Sequence, residues 1–206
     1  MESFKSKLIP VLFGVYCAAL MVQNILATKT IDIFVFTVTT GVLVSPLVFI
    51  IQDISSELLG YKKTKEMIIL SFLMNFLAVG LFQLAIMLPA SATYANQAAF
   101  EAILASTPRI AFASLLAYIT GSLINSKIMC SMRKRHSESL FVRAITSTIA
   151  GQFVDNAIFS TVAFAFVLPA PVIVSMAVGA TLFEVVYEII LYPVTKTAIT
   201  KLKAKM

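Results

Sequence analysis

Hydrophobic residues in this chain come in long blocks rather than in strict alternation or narrow stripes. Apolar stretches run at about 8–28, 33–57, 67–88, 109–131, 143–168 and 172–195. At about 1.5 Å of rise per residue, each is long enough to cross a hydrocarbon core of about 30 Å. The pattern predicts an all-α, polytopic chain with six transmembrane helices, forming a single domain over residues 1–206. Turn and capping residues punctuate the blocks. Gly60-Tyr61-Lys62-Lys63 closes the second, with Gly60 placed to cap it. Pro89-Ala90-Ser91 opens a polar loop over 89–107 that ends at Pro108. Arg133-Lys134-Arg135-His136 marks a basic loop, and Leu168-Pro169-Ala170-Pro171 a tight turn. Pro46 falls inside the second block and predicts a kink there. Lys5 and Lys7 before the first block superficially suggest a signal peptide. That block is too long for one and shows no small-residue cleavage site, so it reads as a retained helix. No internal repeat is visible.

Composition strengthens the membrane reading. The chain has 206 residues, of which 59% are hydrophobic and 13% charged, with a mean hydropathy of +0.94. A soluble domain of this size needs far more polar surface. The net charge of +6 raises nucleic acid as a partner, but the placement of the charges argues against it. With the N-terminus inside, the internal segments carry Lys5, Lys7, Lys62, Lys63, Lys65, Lys127, Arg133, Lys134, Arg135, Arg143, Lys196, Lys201, Lys203 and Lys205. The external segments carry only Lys29 and Arg109. This asymmetry alternates correctly for six crossings and places both termini in the cytoplasm. Cys17 and Cys130 make neither a CxxC nor a metal spacing and read as small hydrophobes. His136, the sole histidine, sits in the basic loop, and neither GxSxG nor HExxH occurs. No cofactor, metal centre or His-dependent hydrolysis is expected from these residues.

The informative residues are the acids and amides inside the blocks. Asp155 lies near the middle of the fifth and Glu184 near the middle of the sixth. Glu188 follows one turn after Glu184, with Tyr187 beside it; Asp53 and Glu57 repeat that spacing at the inner end of the second block. Gln152, Asp155, Asn156 and Phe159 share one helix face, and Asn24, Asn75, Gln83 and Asn125 add neutral hydrogen-bonding groups. A carboxylate near the bilayer centre costs about 2.5–3.5 kcal/mol, so such groups mark sites or pathways by default. No Lys or Arg lies at the depth of Asp155 and Glu184. Their partner is then a proton, an amide or hydroxyl, an ion, or the donors of a solute. The plainer alternative is a protonated acid that only ties helices together. Asp53 and Glu57, nearer the interface, are expected to reach water. The substrate-binding candidates are therefore Asp155, Asn156, Gln152, Glu184, Glu188, Tyr187, Asn125 and Phe159. Asp53 and Glu57 are candidates for gating or coupling. A planar, nucleobase-like solute suits this equipment, because a carboxylate accepts two hydrogen bonds from adjacent N–H groups while an aromatic ring covers the flat face.

Four stretches carry a family resemblance. These are Asp53-Ile-Ser-Ser-Glu57-Leu-Leu-Gly60-Tyr61-Lys62, Gly121-Ser-Leu-Ile-Asn125, the run from Arg143 through Ser147, Gly151-Gln152 and Asp155-Asn156 to Phe159, and Glu184-Val-Val-Tyr187-Glu188-Ile-Ile-Leu-Tyr192-Pro193. In order and position they resemble the queuosine precursor transporter family, also called the vitamin uptake transporters. The resemblance implies six helices, residence in the cell membrane and uptake of 7-deazaguanine compounds. It implies site roles for Asp53, Glu57, Asn125, Gln152, Asp155, Asn156, Glu184 and Glu188. Among these, Glu57, Gln152, Glu184 and Glu188 are the positions at which relatives vary, and so would tune substrate choice. Two other function classes stay open on the sequence. One is the substrate-binding subunit of an energy-coupling-factor importer, which needs a separate ATPase because this chain has no phosphate loop. The other is a membrane enzyme. A chain this small is also compatible with a homodimer.

Overall fold

The computed structural model describes residues 2–26, 28–33, 36–105, 108–134 and 139–204. Helices dominate. α1 spans Glu2–Leu26, α2 Ser45–Leu58, α3 Tyr61–Met87, α4 Gln97–Leu104, α5 Pro108–Lys134, α6 Leu140–Phe164 and α7 Ala170–Lys203. Between α1 and α2 lie two short strands, β1 (Thr30–Ile33) and β2 (Phe36–Thr39), then a 3-10 turn at Thr40–Leu43. The strands pair antiparallel, with Thr30 opposite Thr39 and Ile33 opposite Phe36. Among the described residues, three helical segments are long and apolar enough to cross a membrane on length and composition alone: Ser6–Leu26, Tyr61–Met87 and Ala170–Lys203. At 14 residues α2 is too short to do so by itself.

The second apolar block departs most from expectation. The sequence predicts a helix over 33–57, but its first part is the strand pair and the 3-10 turn, and α2 starts only at Ser45. The stretch Thr30–Thr39 is rich in Thr, Val, Ile and Phe, which favour extended backbone, and hydropathy does not distinguish the two outcomes. Pro46 accordingly begins α2 instead of kinking it: in the first turn its missing N–H is one that no helical carbonyl needs. The loop over 89–107 contains α4. The last helix runs eight residues past the expected end at 195. Gly60 has φ 79°, and its N–H bonds the carbonyl of Ser55, so it closes α2 as its position suggested and turns the chain directly into α3.

Side-chain contacts set the helix directions. Tyr16 OH donates to Gln52 Oε1 at 2.6 Å and Gln23 Nε2 to Ser45 Oγ at 3.1 Å, so α1 and α2 run antiparallel. Cys17 bonds Ser71 at 3.0 Å and Asn24 Nδ2 donates to Asn75 Oδ1 at 2.7 Å, so α1 and α3 run in the same direction. Large apolar side chains face outward, and many polar ones are buried beside an apolar core. Phe76, Phe112, Phe153, Leu182 and Ile190 lie exposed, while Gln52, Asp53, Ser55, Ser56, Asn75, Asn125, Ser126, Thr148, Gln152 and Glu188 are buried. An apolar exterior over buried polar groups is what a bilayer solvent selects.

Candidate substrate site

A cavity of about 50 Å3 opens between five helices. Gln23 of α1, Val48, Phe49 and Gln52 of α2, Tyr118, Gly121, Ser122 and Asn125 of α5, Gly151, Gln152 and Asp155 of α6, and Glu184 of α7 line it. The α5 residues recur at i, i+3, i+4 and i+7, so a straight helix presents all four on one face. The closest helix crossing sits beside them. A Cβ on Gly121 would lie 2.7 Å from Asp155 Cβ, and one on Gly151 would lie 2.6 Å from Asn125 Cβ. The two glycines thus let α5 and α6 touch through their backbones, which brings Asn125 and Asp155 together on the cavity wall.

Hydrogen bonds fix the wall. Tyr16 holds Gln52 from behind, and Gln52 Nε2 reaches the Ser122 carbonyl at 3.3 Å. Asn156 Nδ2 donates to Glu184 Oε2 at 2.8 Å, with Thr181 Oγ1 3.3 Å away. Two lining residues keep buried carbonyl oxygens with no donor, Gln23 Oε1 and Asn125 Oδ1. Among the described residues no Lys or Arg forms an ion pair with Asp155 or Glu184. The wall is therefore rich in acceptors and short of positive charge, which suits a small solute bearing several N–H donors.

The sequence candidates divide. Asn125, Gln152, Asp155 and Glu184 line the cavity, and Asn156 stands behind it as a support for Glu184. Glu188 lies one turn further along α7 and meets Asp53 of α2 in a carboxyl–carboxyl contact. Tyr187 stacks on Phe183, with ring centroids 6.2 Å apart, and Phe159 packs edge-on against Phe164; neither ring lines the cavity. Neither Asp53, 1% exposed, nor Glu57 is open to water as their position near the interface suggested. The Glu57 side chain is 2% exposed and carries two ion pairs, to Arg143 at 2.9 Å and Lys203 at 2.5 Å. Arg133 adds hydrogen bonds to the carbonyls of Ser56 and Glu57. Cys17 and Cys130 are free thiols used as packing and hydrogen-bonding groups, and His136 and Arg135 lie outside the described residues. Sequence reasoning missed Gln23, Gln52, Tyr118 and Ser122. For Tyr118 and Ser122 a signal existed, since both share a helical face with Gly121 and Asn125.

The family described as "Putative vitamin uptake transporter" matches residues 39–198, a span that contains every lining residue except Gln23. The chain belongs to this family. It is also 26% identical over 183 residues, 88% of this chain and 78% of the relative, to a protein of Bacillus subtilis (strain 168) named "Probable queuosine precursor transporter". No solved structure matches the chain significantly. As a vitamin uptake transporter it is a multi-pass protein of the cell membrane that moves a small molecule. The cavity, lined by acids and amides and without a lysine or arginine on its wall, lies within the span that the family matches, apart from Gln23.

Proposed function

We propose that this protein imports queuosine precursors of the 7-deazaguanine type, and that the cavity between α1, α2, α5, α6 and α7 binds the base. The observation that carries this reading is the pairing of Asp155 and Glu184 on one small cavity with no cation between them. A guanine-like edge offers adjacent N–H donors to a carboxylate, and Gln52, Asn125 and Gln152 serve the remaining ring groups. Phe49 or Tyr118 covers the ring face. The relative's name supports the same class of cargo.

In this reading the whole chain acts as one six-crossing domain with both ends in the cytoplasm, and β1 and β2 complete the crossing that α2 begins. The helix directions support it. They bring the start of α1, the α2–α3 junction, the facing ends of α5 and α6 and the end of α7 to a single basic face.

The test is uptake of a labelled 7-deazaguanine base by the purified protein in liposomes. Wild-type protein accumulates or equilibrates the base without an ATPase partner, while Asp155→Asn and Glu184→Gln each lower the rate at least about tenfold, the loss expected when a charged hydrogen-bond acceptor is removed. Unchanged uptake in both variants overturns the assignment of the cavity.

A further inference from the structure

We infer that the C-terminal arm of α7, residues Thr195–Lys203, is the inner gate of the transport path, and that Glu57 is the catch on which it closes. This rests on reading the cavity as the solute site.

Chain lengths on the two helices carry the geometry. Glu188 of α7 meets Asp53 of α2, and Lys203 of α7 meets Glu57 of α2. Asp53 and Glu57 are one turn apart, about 6 Å along their axis, whereas Glu188 and Lys203 are separated by about 22 Å of helix. Were α7 to run alongside α2, the second pair would be offset by about 16 Å, more than the roughly 10 Å that a lysine and a glutamate side chain span together. Beyond Glu188, α7 therefore slants across the end of α2. Pro193 lies in that stretch, and Thr197 Oγ1 donates to the Pro193 carbonyl at 2.7 Å; interior prolines and such back-bonding threonines both bend helices.

The arm is built to cover something. Thr195 and Ile199 face inward and are buried, while Lys196 and Lys201 face out. Ile199 belongs to the buried cluster of Leu12, Ile54 and Met67, and Ala198 and Leu202 pack against that cluster together with Leu8, Leu59 and Leu140. The cluster draws on α1, α2, α3 and α7, so the arm shares an apolar core with the basic end of the bundle. The buried polar residues Asp53, Ser56, Ser126, Thr148 and Glu188 stand among buried apolar ones, Ile54, Met67 and Met129. Lifting the arm exposes these polar groups together with the apolar cluster that Ile199 joins.

The charges divide the latch into a fixed half and a moving half. Glu57 is held by Arg143, whose side chain is 11% exposed, and Arg133 binds the carbonyls at the end of α2. Lys203 is 52% exposed and in reach of water, whereas Glu57, 2% exposed, keeps Arg143 as its partner when Lys203 leaves. Buried ion pairs add little net stability relative to well-packed apolar groups, which favours a switching role for this one.

The test follows the opening directly. In a chain carrying Cys17→Ala and Cys130→Ala, Ser122→Cys places one thiol on the cavity wall, and its labelling by a membrane-impermeant maleimide is timed in inverted and right-side-out vesicles. The proposal expects Lys203→Gln to speed labelling from the basic face about threefold and Glu57→Gln by more than about tenfold, with Lys203→Arg remaining slow. Equal rates in all variants, acceleration only from the opposite face, or Lys203→Arg as fast as Lys203→Gln overturns it. Because Lys203 is half exposed, its two variants decide the question even if Glu57→Gln fails to fold. The labelling needs no solute; a wrong substrate assignment would leave it intact while liposome uptake of the base failed.

Discussion

Gly121 on α5 and Gly151 on α6 face each other so closely that each occupies the space where the other's side chain would stand. A Cβ on Gly121 meets the Gly151 carbonyl oxygen at 2.7 Å, and one on Gly151 meets the Gly121 carbonyl oxygen at 2.9 Å. Backbone is what would have to move, and it moves only by separating the helices. Gly121→Ala and Gly151→Ala are each expected to destabilise the protein by about 1–3 kcal/mol, the usual cost of overpacking. Thermal melting in detergent checks this. Because Asp155 and Asn125 flank the crossing, uptake should fall even where the variant remains folded. Gly14→Ala, with open space around its Cβ position inside α1, is the matched control and should leave uptake unchanged without lowering the melting temperature.

Asn156 acts on the cavity at one remove. Its amide donates to Glu184, so Asn156→Ala leaves that carboxyl without its anchor while removing no lining group. Losing such a bond costs about 1–3 kcal/mol, which predicts a KM for uptake raised roughly tenfold or more and a maximal rate less affected. Concentration-dependent uptake by the variant checks the split.

The chain contains no tryptophan, so one introduced residue reports its own surroundings. Phe153 is 51% exposed on the outside of α6, whereas Phe49 lines the cavity. Phe153→Trp should be quenched strongly by brominated lipid tails and Phe49→Trp only weakly. Equal quenching would place the face of α6 that carries Phe153 away from lipid.

Topology is tested by two further cysteines in the chain lacking Cys17 and Cys130. Ser91→Cys, just beyond α3, should label on intact cells with an impermeant maleimide. Lys62→Cys, at the start of α3, should label only after permeabilisation.

Much of the fold was legible in the residues alone. Blocks of apolar residues long enough for a bilayer announce a helical membrane protein through composition alone, and Gly60 announces the end of α2 because few other residues take its φ of 79°. The acids within the blocks stood out for a related reason: each is costly in hydrocarbon, so its presence asks for a use.

Other features depended on partners distant in sequence. Hydropathy is blind to the difference between an apolar strand and an apolar helix, so β1 and β2 stayed hidden inside one block. Nothing local tells Glu184, on the cavity, from Glu188, against Asp53, or reveals that Glu57 would find Arg143 and Lys203, the latter 146 residues away. The sequence by itself determined that this protein lives in a membrane and keeps carboxyl groups within it. Only the tertiary structure decided which of them share a cavity and which are neutralised by cations, because a charge's role is set by what packing brings within a few ångströms of it.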